Sequence, residues 1–248
     1  MPAYNAERTI EKTWREVIAQ EIVDLVIVVD DASHDATVAR ARMLDKVVVH
    51  THESNRGYGA NQKTCYKIAL QHGADIVIMI HPDYQYTPKL IPAMAGLVAS
   101  GLYPCVLGSR ILGGQALRSG MPWWRYVSNR GLTFVGNLLL GTKLSEFHTG
   151  YRAYSRELLQ RLPLTENSDD FVFDNQLIAQ TVWLGCTIGE VSCPTRYASD
   201  ASSINFRRSV KYGFGCLGTG LIYRLAKWGF LHNPKFPGKP ASVAANQP

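Results

Sequence analysis

His81-Pro-Asp83-Tyr84-Gln85 holds a carboxylate and an amide oxygen two residues apart, after an apolar run. On an extended segment the two would point to one side. Such a pair suits a hard cation, Mg²⁺ or Mn²⁺, that takes few protein oxygens and fills its shell with substrate phosphates. An Asp capping a turn before Pro88 is the competing reading. A second acidic site, Asp30-Asp31-Ala32-Ser33 with Asp35 and Thr37 beyond it, follows another apolar run. Adjacent carboxylates there can accept hydrogen bonds from a base or a ribose. Ser33 and Asp35 read equally well as the start of a helix. Asp169 and Asp170, ahead of Asp174, either complement a helix dipole or supply a general base that takes a proton from an attacking hydroxyl. Between Asp83 and Glu146 there is no acid, while Lys89, Arg110, Arg118, Arg125, Arg130 and Lys143 occur. That stretch is either a phosphate-receiving surface or a solvated basic loop.

Two patterns carry less. Gly213-x-Gly215-x-x-Gly218 matches a dinucleotide-binding spacing, but no strand precedes it and no acid follows it. It reads as small residues within a helix. The five cysteines are scattered, odd in number and without a C-x-x-C pair, which points to a reducing compartment and away from a disulfide framework or a structural zinc site.

The elements that must position these residues are legible in the periodicity. Apolar runs at Leu25–Val29, Lys46–Thr51, Asp75–Ile80 and Tyr103–Leu107 read as buried strands. Helical patterns separate them at 7–21, with Asn5 as N-cap, at about 36–44, at 58–72 and at 90–98. Alternation of this kind predicts an α/β fold on a parallel sheet with right-handed crossovers. The acids then fall at the carboxyl ends of strands, where open α/β sheets bind ligands. Pro2–Asn5 reads as the exit of a first strand that is nearly missing. Residues 110–130 read as loop, 129–140 and 168–184 as helix, and 198–206 as mobile.

The chain of 248 residues is 46% hydrophobic and 19% charged, which excludes global disorder. It shows no apolar run long enough to cross a bilayer and no leader pattern. The net charge of +6 belongs to the tail: residues 201–248 carry seven basic residues and no acid. A nucleic-acid binder spreads its basic face over the folded domain, so nucleic acid is not expected as a partner. Val210, Phe214, Leu217, Leu221, Leu225 and Trp228 form one apolar stripe of a helix over 207–231. That helix lies on an anionic membrane surface, or docks on the protein's own core or on a second subunit. Residues 232–248 read as a disordered tail.

In order along the chain, Pro2-Ala-Tyr-Asn5, Val29-Asp-Asp-Ala-Ser-x-Asp35, Asn55-Arg-Gly57, Asp83-Tyr-Gln85, Gly108-Ser-Arg110 and Thr149-Gly-Tyr-Arg152 resemble glycosyltransferase family 2. The resemblance spans Pro2 to about Phe206 and is nearest the polyprenyl- and dolichyl-phosphate mannosyl- or glucosyltransferase branch. It implies a GT-A fold over 1–206 and an inverting, metal-dependent glycosyl transfer from a UDP-, GDP- or dTDP-sugar to a lipid-phosphate or alcohol acceptor. It implies that Pro2, Ala3, Tyr4, Asp30, Asp31 and Asp83 hold the nucleotide, that Asp83 and Gln85 hold Mg²⁺ or Mn²⁺, and that Arg110, Arg125 and Ser128 face an acceptor phosphate. Asp170 lies where relatives with alcohol acceptors keep their base. His81 stands where the branch has an acid; a neutral imidazole there suits Mn²⁺. The implied location is cytoplasmic, peripheral at the membrane face. Two other readings compete: a non-catalytic nucleotide-sugar or membrane-binding module, and a sugar-1-phosphate nucleotidyltransferase, which lacks its Gly-rich loop here.

Overall fold

A computed structural model describes residues 1–195 and 206–238. The strands are β1 (Pro2–Ala3), β2 (Val26–Asp30), β3 (Val47–Thr51), β4 (Ile76–Met79), β5 (Cys105–Ser109), β6 (Arg152–Ser155) and β7 (Ile188–Ser192). The helices are α1 (Ile10–Ile18), α2 (Thr37–Ala41), α3 (Tyr58–Gln71), α4 (Ile91–Ala99), α5 (Trp123–Leu140), α6 (Arg156–Arg161), α7 (Phe173–Trp183) and α8 (Phe206–Lys227).

β1, β2 and β3 form a parallel three-stranded sheet with β2 in the centre. The other four strands run in the order β4-β6-β5-β7, with β6 antiparallel to both neighbours and β5 parallel to β7. The first half is therefore the predicted parallel α/β unit, and the second is mixed. β1 spans two residues, paired with Val29 and Asp30, and the Met1 ammonium donates to Ile27 O at 2.7 Å.

Strand side chains alternate between two cores, as the pleat requires. Val29, Cys105, Leu107 and Tyr154 join α3, α6, α7 and α8 on one face. Val28, Val106 and Ala153 join α1 and α4 on the other. Burial on both faces explains why these strands read as continuous apolar runs.

Three sequence expectations change. Asn5 is not an N-cap: it takes a positive φ of 49°, and its side-chain oxygen accepts from His34 N at 3.0 Å. α5 begins at Trp123, inside the stretch read as loop, because Pro122 starts the helix from the position just before it. Residues 232–238, read as disordered, are anchored at one point: Phe236 is 3% exposed against Trp183 and Tyr223, and Trp183 Nε1 donates to Pro237 O at 3.0 Å. Most of 198–206 and all of 239–248 lie outside the described residues.

α8 is docked by the face opposite its predicted stripe. Cys216, Thr219, Tyr223 and Ala226 are buried, whereas Phe214, Leu221 and Trp228 are exposed. A Cβ on Gly215 would stand 2.4 Å from Val172, and one on Gly220 would stand 2.7 Å from Leu139. Gly215 of the discarded dinucleotide pattern, and Gly220 beyond it, thus let α8 approach its neighbours.

Candidate active site

β2 ends in Asp30 and Asp31, and both carboxylates are engaged by the chain. Asp30 accepts from Ser33 N at 2.9 Å and from the Ser33 hydroxyl. Asp31 accepts from Arg56 N and Gly57 N, both at 2.9 Å, and lies 2.7 Å from His52 Nδ1. One buried carboxylate thereby ties the end of β2 to the loop that leads into α3. Ala3 O accepts from Asp31 N at 2.9 Å and closes the same corner. Pro2 and Ala3 are buried strand, while the Tyr4 ring beside them is half exposed. Asp35 is structural, with Thr37 N donating to it at 3.0 Å, but α2 starts only at Thr37, so Asp35 precedes its first turn and Ser33, whose hydroxyl is turned to Asp30, is not its N-cap.

The segment after β4 is a turn and not the extended pair expected. Tyr84 has φ of 60°, and Asp83 Oδ1 accepts from Gln85 N at 3.0 Å. The other Asp83 oxygen accepts no bond among the described residues. Thr13 Oγ1 donates to Pro82 O at 3.2 Å, and Tyr84 donates to Glu16, so α1 pins the turn from one side.

His81 is pinned from the other. Its Nε2 lies 3.1 Å from Tyr58 Oη, and that hydroxyl donates to Asp174 Oδ2 at 2.7 Å. A carboxylate only accepts, so Tyr58 gives its proton to Asp174 and receives one from His81 Nε2. This leaves the lone pair on Nδ1. Burial pulls the His81 imidazole below its ordinary pKa, so the ring is neutral. A Cβ on Gly150 would stand 2.6 Å from His81 Nε2, which explains the glycine of Thr149-Gly-Tyr-Arg152.

Asp174 in turn accepts from Gln62 Nε2 at 3.1 Å and stands 3.9 Å from the fully buried Arg152. Arg152 Nε donates to Thr149 O at 2.8 Å and Nη2 to Phe147 O at 3.0 Å. The guanidinium therefore holds the 147–149 backbone next to the turn. The spacing of Tyr58 and Gln62 on α3 carried a signal, four residues apart on one face, but nothing local identified Asp174 as their partner.

Arg110 is not a free cation. Its backbone N donates to Glu146 at 2.7 Å, its Nε donates to the same carboxylate at 2.8 Å, and Nη2 donates to His148 O at 2.7 Å. Asn129 of α5 completes the group, donating to Glu146 at 2.7 Å. Burial pushes the Glu146 carboxyl up, but Arg110 and these hydrogen bonds outweigh it and the net shift is downward. The sequence marked Glu146 only as the end of an acid-free stretch. Arg125 packs over Trp124 and Ser128 is exposed, both on the first turns of α5. His148 is half-buried, with Nδ1 2.7 Å from Tyr212 Oη of α8 and Nε2 unpartnered among the described residues.

Asp170 is tethered as well. Its Oδ1 accepts from Phe171 N at 2.8 Å, and its Oδ2 forms a salt bridge with Lys211 at 3.0 Å. Partial burial pushes the carboxyl up, yet Lys211 and the Phe171 amide hold it below its ordinary value. The loop is clamped onto α3: Asp169 O accepts from Gly59 N at 2.8 Å, and Lys63 pairs with Asp169 at 2.8 Å. Phe171 stacks on Tyr58 at 4.7 Å, which links this loop to the His81 ring.

Residues 1–162 match the model of glycosyl transferase family 2. The chain belongs to that family. It is 30% identical over 178 residues to a UDP-N-acetylglucosamine–dolichyl-phosphate N-acetylglucosaminyltransferase of Methanococcus voltae, covering 65% of this chain and 70% of that protein. It is 29% identical over 172 residues to a polyprenol monophosphomannose synthase of Mycolicibacterium smegmatis, covering 67% of this chain and 64% of that one. The fold is similar to that of glucosyl-3-phosphoglycerate synthase from Mycobacterium tuberculosis, solved with Mn²⁺, UDP and glucosyl-3-phosphoglycerate. There the TM-score is 0.66 at 22% identity, over 91% of this chain and 78% of that one. The family 2 glycosyltransferase is thus a GT-A enzyme, as its motifs imply. Among the described residues no three His, Cys, Asp or Glu side chains converge as a complete metal site, and no helix is long and apolar enough to cross a membrane.

Proposed function

We propose that this enzyme transfers a sugar, with inversion, from a nucleoside diphosphate sugar to a lipid phosphate. The observation that carries the reading is the state of Asp170. The residue best placed by sequence to act as a base is salt-bridged to Lys211 and shifted toward a lower pKa. A carboxylate so held is a poor proton acceptor for an alcohol. A phosphate monoester needs none, since it is already anionic at neutral pH.

The donor set around the turn fits a divalent cation: an Asp83 oxygen, the Gln85 amide and the Nδ1 lone pair of His81. Few ligands of this kind suit an ion that completes its shell with diphosphate oxygens. When bound, the cation stabilises charge on the departing diphosphate. The protein's own contribution is positional. Pro2, Ala3 and Tyr4, with Asp30 and Asp31 fixing the loops beside them, form the nucleoside pocket, and the exposed Tyr4 ring is free to stack on a base. Arg125 and Ser128 on α5 face the acceptor phosphate, and Arg110, assigned with them by the resemblance, reaches it only by giving up part of its pairing with Glu146 and His148 O. An acceptor oxygen attacks the anomeric carbon from the face opposite the diphosphate. The bond from that carbon to the diphosphate oxygen breaks, and the electron pair leaves with the nucleoside diphosphate. A screen of UDP-, GDP- and dTDP-sugars with a short polyprenyl phosphate, with and without Mn²⁺, tests the reading; nucleotide release in EDTA equal to that in Mn²⁺ contradicts it.

A further inference from the structure

A cavity of about 340 Å³ opens between α7, α8 and the 232–238 segment, at the low end of the roughly 300–1,000 Å³ of small-ligand sites. Val172, Ile222 and Phe236 give it apolar walls, and Gly215 and Gly218 leave it bare along α8. The two glycines are not equivalent. A Cβ on Gly215 would strike Val172, so close packing explains that residue. A Cβ on Gly218 would meet nothing within 4 Å. Glycine inside a helix is destabilising relative to alanine, and here no neighbour requires it; a larger residue would remove only the open space. The polar groups of the lining are unused donors. Lys235 is half-buried, and its ammonium has no ion pair or hydrogen bond among the described residues. Gln176 Oε1 accepts from Ser168 N at 2.8 Å, while its Nε2 has no partner among those residues. Ser168 Oγ accepts from Asp170 N at 3.1 Å, which leaves the hydroxyl proton to donate. Thr219 already gives its proton to Gly215 O. Among the described residues no Asp or Glu lines the cavity, and Asp169 and Asp170 beside Ser168 are paired with Lys63 and Lys211.

We propose that this cavity is a second ligand site, separate from the acceptor group of Arg110, Arg125 and Ser128. It takes a small amphipathic anion, a carboxylate or phosphate monoester on an alkyl chain of medium length. Donors that lack acceptors, one of them a cation without a counter-ion, call for an anionic head. The apolar walls call for a hydrocarbon body that leaves water on binding. Occupancy reaches the active site through one loop. Ser168 opens the 168–172 segment, whose Asp169 O accepts from Gly59 N and whose Phe171 stacks on Tyr58, the partner of His81. An anion held by Ser168, Gln176 and Lys235 ties that segment to 232–238 and steadies both.

The test is isothermal titration calorimetry of the full chain, without donor or metal, with octyl phosphate, octanoate and octanol. The two anions should bind, and octanol at least about tenfold more weakly. Lys235→Ala should weaken both anions about tenfold. Gly218→Leu fills the cavity and should abolish binding, with circular dichroism unchanged and the melting temperature equal or higher. Bound octyl phosphate should slow amide exchange in 168–172 and 232–238. No binding by the parent chain overturns the proposal, and equal binding of octanol overturns the anionic head. Undiminished binding to Gly218→Leu overturns the cavity as the site. Transfer to a short polyprenyl phosphate should keep its KM in Gly218→Leu; a raised KM would make the cavity part of the acceptor site and overturn its separateness. The titrations contain no donor, so their outcome stands whether or not the catalytic reading holds.

Discussion

The Tyr58 hydroxyl donates to Asp174, and the lone-pair nitrogen of His81 follows from that one bond. Groups behind a metal ligand that fix its tautomer are worth roughly 10–100-fold in metal affinity. Tyr58→Phe should therefore weaken Mn²⁺ binding by about that factor, read by the electron paramagnetic resonance of free Mn²⁺, with the fold intact. Asp83→Ala should abolish transfer, and Gln85→Ala should be milder because an amide is the weaker ligand. Equal Mn²⁺ binding by Tyr58→Phe and the parent would remove His81 from the site. A second residue-scale consequence concerns pH. Burial pulls the His148 imidazole from 6.5 down to about 4. Below pH 6.5 the unfolded chain takes up a proton that the folded one refuses until about 4, so stability rises with pH across that window. The full effect is on the order of 3 kcal/mol. Urea unfolding should show that slope in the parent and a flatter one in His148→Gln; identical slopes would contradict it.

The elements explain why the site was only partly legible in the sequence. Asp30, Asp31 and Asp83 were readable because each follows a doubly buried strand whose apolar run marks its end. β6 and β7 were missed: Arg152–Ser155 and Ile188–Ser192 mix polar and small residues instead of forming an apolar run, and β6 pairs antiparallel between β4 and β5, contacts that no local pattern encodes. Their absence hid the packing that brings Arg152 to Asp174. The α8 stripe was read correctly as a pattern, but period alone cannot say which face docks. Glycines decided it, since a small residue leaves no hydrophobic signal yet sets how closely helices approach. Gly59 makes the same point beside the site: a Cβ there would lie 2.4 Å from Ser168 O. Gly59→Ala must move backbone, and should cost about 1–3 kcal/mol in thermal or denaturant unfolding. It should also loosen the 168–172 loop, seen as faster amide exchange. A neutral effect on both would show that the clamp between α3 and this loop is dispensable.

For the whole molecule, the proposed function puts the nucleotide at the strand ends of the parallel half and the acceptor on the mixed half. α5 and α8 close the latter with an apolar, acid-free flank. Everything in that arrangement turns on whether the nucleophile brings its own negative charge. The most direct measurement is sugar transfer by the parent and by Asp170→Asn to two acceptors of equal chain length, a polyprenyl phosphate and the corresponding polyprenol. The account predicts transfer to the phosphate alone, with Asp170→Asn changing its rate only slightly. Transfer to the alcohol, lost by a factor of about 10²–10⁴ in Asp170→Asn, would make Asp170 a base and contradict it.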